Sequence, residues 1–273
     1  MAIIFDVRDG VARITINRPE AMNAMDPATY AEITAALEEI ERDRDIAVGI
    51  ITGAGDRAFT AGADLKVMHT GGAGLAQWAP WRPDRWDFGA ATTKPLIAAI
   101  NGYALAGGLE LALICDIRIA SPNAVFGTPE VKWNLLHGFG AYQLPRIISL
   151  SRAMEMLLTG EFIDAATAER IGLISRVVPA GELQEEAGRL ARVIAANGPM
   201  AVRMTKELVT SGLHASPDQH FRLMHEYYSR VDATADQAEG LTAFAQKRTP
   251  RYRDDQPPAG GRRPDGDQRA ACE

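Results

Sequence analysis

The chain has 273 residues, 47% of them hydrophobic and 23% charged, with a formal net charge of −6. That is apolar material for one large domain or two smaller ones, and the acidic balance argues against a general nucleic-acid binder, which carries a basic face. Two cysteines, Cys115 and Cys272, make no disulfide framework and fit a reducing cytoplasm, and no apolar run reaches the roughly 18 residues of a membrane span.

The opening MAIIFDVRDG carries Asp6 and Asp9 and lacks the basic-then-apolar order of a secretory leader. GVARITINRP alternates and is rich in β-branched residues, which predicts a strand. MDPATYAEITAALEEIERD predicts a helix, with Asp26 as N-cap, Pro27 in the first turn and Tyr30, Ile33, Leu37 and Ile40 as one apolar stripe. IAVGIITGAG predicts a strand ending in a glycine turn, and AFTAGADLKVM a short strand, a turn and a helix start. KPLIAAINGYALAGGLELALICDIRIAS predicts strand, glycine turn, buried helix and strand. RAMEMLLTG and DAATAERIG predict helices that stop at glycine, LISRVVP a strand, and about Glu182 to Gln246 a run of helices. Strands thus alternate with helices to about residue 178, an α/β body followed by a helical part. The expected division is a core over 1–190, a helical region over 191–250 and a disordered tail over 251–273, where charge, Pro and Gly leave little apolar content. The stretch 69–90 is Gly/Pro-rich and carries Trp78, Trp81 and Trp86; a long loop with three tryptophans points to function rather than plain disorder.

Several signatures fail on context. GAGDRA (53–58) matches G-x-G-x-x-A, but no good helix follows, and no acid lies about 20 residues on, as a dinucleotide fold requires. There is no phosphate-binding G-x-x-x-x-G-K-[ST], no G-x-S-x-G nucleophile turn, and no metal-ligand spacing among the five histidines.

Two glycine turns remain, at FTAGADLK (59–66) and NGYALAGGLELALICD (101–116), each following an apolar strand and opening a helix. Backbone N–H groups at a helix start have no intrahelical partner, and two of them converging can hold an oxyanion; on residues alone, Gly107–Gly108 serves close packing equally well. Glu110 is an acid in an apolar helix, where an unpaired carboxylate is costly and needs an explanation. Glu130 follows Pro129 after a strand, where an acid complementing the helix dipole is common.

These two segments, together with FGTPEVKWNLLHGFGA (126–141), NRPEAMNAM after the first strand and FAQKRTPRYR near the C-terminus, resemble the crotonase superfamily of enoyl-CoA hydratases and isomerases over about residues 3–250. The resemblance implies an α/β spiral of repeated ββα units with a helical C-terminal trimerisation region. It implies an oxyanion hole from the N–H groups of Ala63 and Gly107, and Glu110 and Glu130 gripping one water. Members that only shift a double bond usually keep the equivalent of Glu130 alone, so the pair favours hydration of a 2-enoyl-CoA to a 3-hydroxyacyl-CoA. The alternatives are a double-bond isomerase, a hydrolase or a hydratase-lyase on the same scaffold, or a non-catalytic CoA-binding subunit. CoA is implied along residues 20–24 and the 61–66 turn, with Met22, Ala61, Asp64 and Leu65 in contact and Lys66 and Lys247 approaching phosphates. The acyl side is implied to take Trp81, Trp133, His137 and Gly138. His137 stands where hydratases often have proline, and Ala141-Tyr142 where glycine and threonine are usual. His137 is a candidate third acid/base group or polar contact for an unusual acyl chain, while packing or helix-start duty explains it equally well; with the tryptophans, the departure suggests a bulky or aromatic acyl group. The resemblance also implies a homotrimer or a hexamer of two trimers, for which Leu223, Met224 and Tyr227 are candidate contacts unless they pack within the chain. It implies no cofactor beyond the coenzyme A thioester that is the substrate, no metal, no nucleic-acid or membrane partner, and a cytoplasmic place in fatty acid metabolism.

Overall fold

In a computed structural model, residues 1–71 and 92–254 are described, and they divide into two compact units, Met1–Asn197 and Gly198–Glu273. Within the first unit, β1 (Ile3–Arg8), β2 (Val11–Ile16), β3 (Val48–Gly53), β5 (Leu96–Ile100), β7 (Ile117–Ala120) and β10 (Arg176–Val177) form a six-stranded sheet in that order. A second sheet is ordered β4 (Ala58–Thr60), β6 (Tyr103–Leu105), β8 (Val125–Gly127), β9 (Phe162–Asp164). The successive pairs β3–β4, β5–β6 and β7–β8 each place one strand in each sheet. That is the repeated ββ unit expected, although no sequence repeat marks it.

The strand β1 is not in the sequence reading. It pairs antiparallel with β2 through a turn at Asp9 and Gly10, with φ of 50° and 74°. Asp-Gly is the residue pair such a hairpin favours, so the signal was present. The inner strands pair in parallel and β3 and β5 are buried at every position, because helices cover both faces. On one face α1 (Pro27–Arg42) presents Tyr30, Ile33, Leu37 and Ile40, and the Asp26 carboxylate caps it by accepting from the Thr29 N–H at 2.8 Å. On the other, α7 (Leu183–Ala195) packs Leu183, Ala187 and Ala191 against Val48, Ile50, Ile97 and Ile119. Between these lie α2 (Leu65–Gly71), α3 (Gly107–Leu113), a 3₁₀ turn (Pro129–Trp133), α4 (Gly138–Ile147), α5 (Leu150–Thr159) and α6 (Ala165–Arg170). Gly108 lets α3 lie against β4: a Cβ there would sit 2.2 Å from the Thr60 carbonyl oxygen.

The second unit holds α8 (Pro199–Gly212), α9 (Pro217–Asp232) and α10 (Ala235–Ala245). A Ser216–Gln219 capping box starts α9. Its core is small: Met200, Met204 and Tyr227 are buried, with Leu223 packed against them. Two of the three candidate oligomer contacts thus pack within the chain. Residues 251–254, part of the expected tail, are tied down: the Arg251 N–H donates to Glu239, the Arg253 and Asp254 N–H groups donate to Asp236, and Asp254 pairs with Arg203.

Candidate active site

Both glycine turns present an unspent amide. Ala63 pairs with Met25 as a parallel bridge, in which the Met25 N–H donates to the Gly62 carbonyl (2.8 Å) and the Asp64 N–H to the Met25 carbonyl (2.9 Å). Those bonds use the groups flanking Ala63, so its own N–H faces away from Met25. At the second turn the N–H groups of Leu109 and Glu110 fold back onto the Ala106 carbonyl, and Gly107 precedes them. Among the described residues, neither the Ala63 nor the Gly107 N–H has an acceptor within the fold. The turns lie against each other: a Cβ on Gly62 would be 2.9 Å from the Gly107 nitrogen, and one on Gly107 would be 3.8 Å from the Ala63 nitrogen. Gly62 also has φ +87°, a conformation side chains resist. Ala106 precedes Gly107 at φ 52° and ψ −128°, an unfavourable place for a residue with a Cβ.

The carboxyl of Glu110 is buried one turn into α3. Its Oε1 accepts from the N–H of Phe139 (2.8 Å) and the N–H of Gly140 (3.4 Å), in the first turn of α4, and lies 2.9 Å from His137 Nδ1. A helix start is a natural seat for a carboxylate. A carboxylate oxygen only accepts, so this contact is a hydrogen bond in the tautomer that carries its proton on Nδ1. Among the described residues no hydrogen bond reaches Oε2. Glu130, on the 3₁₀ turn, faces the opposite edge of the same imidazole, with Oε1 3.8 Å from Nε2. Its Oε2 and the His137 Nε2 are both buried without a hydrogen-bond partner. Burial pushes the Glu130 carboxyl above the usual carboxylate range; positive charge on His137 and its own backbone N–H pull it back, and the Glu110 charge pushes it further up. The two acids, separated along the chain, therefore meet around one ring.

Tyr30 belongs to this cluster and the sequence did not disclose it. It occupies a core position on α1, yet its hydroxyl lies 3.0 Å from where a Cβ on Gly107 would be. Burial first, then the charges of Glu110 and Glu130, push its pKa up, so it stays a neutral hydroxyl. No pattern in the chain distinguishes it from Ile33 or Leu37.

The remaining candidates are more dispersed. The Met22 carbonyl accepts from the Ala61 N–H (3.1 Å), so two of the backbone groups expected to meet CoA already pair with each other. Asp64 caps α2 through its Lys66 and Val67 N–H bonds and pairs with Arg18 at 3.2 Å; Arg18 also reaches Asp26. This bridge ties the 18–26 segment to the Ala63 turn. Leu65, Lys66 and Gly138 are exposed, as is Trp133 at the end of the 3₁₀ turn. Lys247 is exposed in the second unit, and Trp81 lies outside the described residues.

The sequence model for enoyl-CoA hydratase/isomerase matches residues 6–256 of the chain. The protein belongs to the enoyl-CoA hydratase/isomerase family. Among family members, the probable enoyl-CoA hydratase echA8 of Mycobacterium tuberculosis is 43% identical over 251 residues, covering 90% of this chain and 95% of the relative. The (E)-benzylidenesuccinyl-CoA hydratase of Thauera aromatica is 39% identical over 266 residues, covering 93% and 99%. The crystal structure of an enoyl-CoA hydratase from Bacillus anthracis superposes with a TM-score of 0.86 at 37% identity, covering 93% of this chain and all of that one. The crotonase-type α/β architecture with a helical C-terminal region is thus the fold of this family member.

Proposed function

We propose that the protein is an enoyl-CoA hydratase that adds water across the 2,3 double bond of a 2-enoyl-CoA thioester. The observation that carries this reading is the pair of carboxyls, Glu110 buried and Glu130 half-buried, on opposite edges of the His137 ring, together with the unspent amides of Ala63 and Gly107. The thioester oxygen accepts from those two N–H groups, which draws electrons from C3 and stabilises the enolate-like state. Glu110 takes a proton from water as its oxygen bonds to C3. Glu130, whose carboxyl burial pushes above the usual range, delivers a proton to C2 on the same face. The product is a 3-hydroxyacyl-CoA, and one proton passing from Glu110 to Glu130 restores the enzyme. The balance closes on water and thioester alone, so the reading requires no cofactor or metal. Met22, Ala61, Asp64, Leu65, Lys66 and Lys247 remain the candidates for CoA, and Trp81, Trp133, His137 and Gly138 for the acyl side.

The test is a panel of straight, branched and aromatic 2-enoyl-CoAs, followed by loss of the conjugated-thioester absorbance. Hydration of at least one, abolished by either Glu→Gln change, supports the reading. A double-bond shift that survives Glu110→Gln replaces it with the isomerase. Highest activity on short unbranched thioesters, unchanged by Trp81→Ala, removes the expectation of a bulky acyl group; the relative named for a benzylidenesuccinyl thioester keeps aromatic substrates in the panel.

The same reading includes a homotrimer or a pair of trimers acting in the cytoplasm on fatty acyl thioesters. Leu213, Phe221, Tyr228, Leu241 and Phe244 of the helical unit are exposed, large apolar side chains of the kind that association covers. Light scattering that returns a monomer removes the oligomer. Among the described residues no helix is long and apolar enough to cross a membrane.

A further inference from the structure

We propose that His137 is a positioning residue for hydration: it holds Glu110 by Oε1, so that Oε2 is the oxygen turned to water, and sets its free edge against Glu130. This rests on the hydratase reading and adds to it a group that neither the oxyanion turns nor the acid pair requires. The ring is almost wholly buried, its side chain 3% exposed. Nδ1 shares Glu110 Oε1 with the N–H groups of Phe139 and Gly140, so three donors converge on one oxygen. The seat of the ring is cut to fit: a Cβ on Gly140 would lie 2.2 Å from Cε1, and only a bare glycine leaves room.

The other edge is unfinished. Among the described residues, Nε2 and Glu130 Oε2 are buried polar atoms with no hydrogen-bond partner, an arrangement that is costly unless a water or a substrate group completes it. Among the described residues, Glu110 from α3 and Glu130 from the 3₁₀ turn face the two edges of the ring, and Tyr30 from α1 acts on both acids. Two carboxyls thus meet one imidazole, one at each ring nitrogen.

Two variants separate the edges. In His137→Asn the amide N–H falls near Nδ1, and in His137→Gln it falls near Nε2. The Asn variant is expected to keep kcat within about tenfold of the parent, whereas the Gln variant, losing the hold on Glu110, falls on the order of a hundredfold in kcat with KM little changed. In both, the alkaline limb of kcat/KM moves, because the imidazole that faces Glu130 is gone. Equal losses in the two variants with an unmoved limb overturn the proposal and leave His137 a packing residue. A third measurement does not depend on the variants folding: ¹⁵N NMR of the histidines in the full-length parent protein. A proton on Nδ1 of His137 is expected, and a bare Nδ1 overturns the hold. If the parent hydrates no thioester of the panel, the hydratase reading fails, and the NMR result still decides the hydrogen bond.

Discussion

Helix α3 and the 3₁₀ turn after β8 each bring one glutamate to the site, and they treat it in opposite ways. Glu110 arrives on a buried helix and has one oxygen saturated by two backbone N–H groups and an imidazole. Glu130 arrives on a short turn, is half-buried, and keeps a buried oxygen with no hydrogen-bond partner among the described residues. One carboxyl is held as an acceptor; the other is pushed by burial toward its protonated form. Identical side chains become unlike reagents through surroundings alone.

The sharpest way to break this contrast is to neutralise each acid separately. Glu110→Gln and Glu130→Gln are both expected to lower kcat by about 10²–10⁴-fold, measured by thioester absorbance, with thermal melting showing that the fold persists. A mild Glu110→Gln would mean that only Glu130 does chemistry. Next comes Gly62→Ala. Its Cβ would crowd the Gly107 nitrogen and the Leu105 carbonyl at a strained φ, and the expected loss is about 10²–10³ in kcat, that of one oxyanion donor.

The contrast also has a sign in pH. Glu130 must be protonated to act as an acid, and its pKa is raised, so activity falls as pH rises through a value above the ordinary carboxylate range. A kcat/KM profile that instead climbs through that range would make Glu130 the base. The smallest expected effect is Tyr30→Phe. Removing a neutral hydroxyl beside Gly107 should change kcat by less than about tenfold, with KM and melting temperature the accompanying measurements.

Much of the framework was legible because its signals are local. The Asp26 cap, the apolar stripe of α1 and the glycine stops act within a turn or two of chain. The acid pair and the two amides came from the family resemblance that the segments around Gly62, Gly107 and Pro129 carry, and their proximity is what the fold adds. What escaped depends on contacts between distant segments. Tyr30 has the spacing of a core residue, and only the approach of α3 turns its hydroxyl toward the acids. His137 was singled out as a departure from the family pattern, but its hold on Glu110 appears only when α4 folds its first amides onto the same oxygen. The hairpin of β1 was missed even though Asp9-Gly10 announces it.

Ala106 carries a cost that the site imposes on the whole molecule. A residue with a Cβ held at φ 52° and ψ −128° stores on the order of 1–3 kcal/mol, and glycine would shed it for about 0.4–1 kcal/mol of added freedom in the unfolded chain. Selection for heat tolerance alone would therefore drift toward Ala106→Gly, while a rigid corner beside the Gly107 amide favours the methyl. Directed evolution of this enzyme for thermal endurance should keep turnover in its screen, because the easiest gain lies where catalysis has least slack.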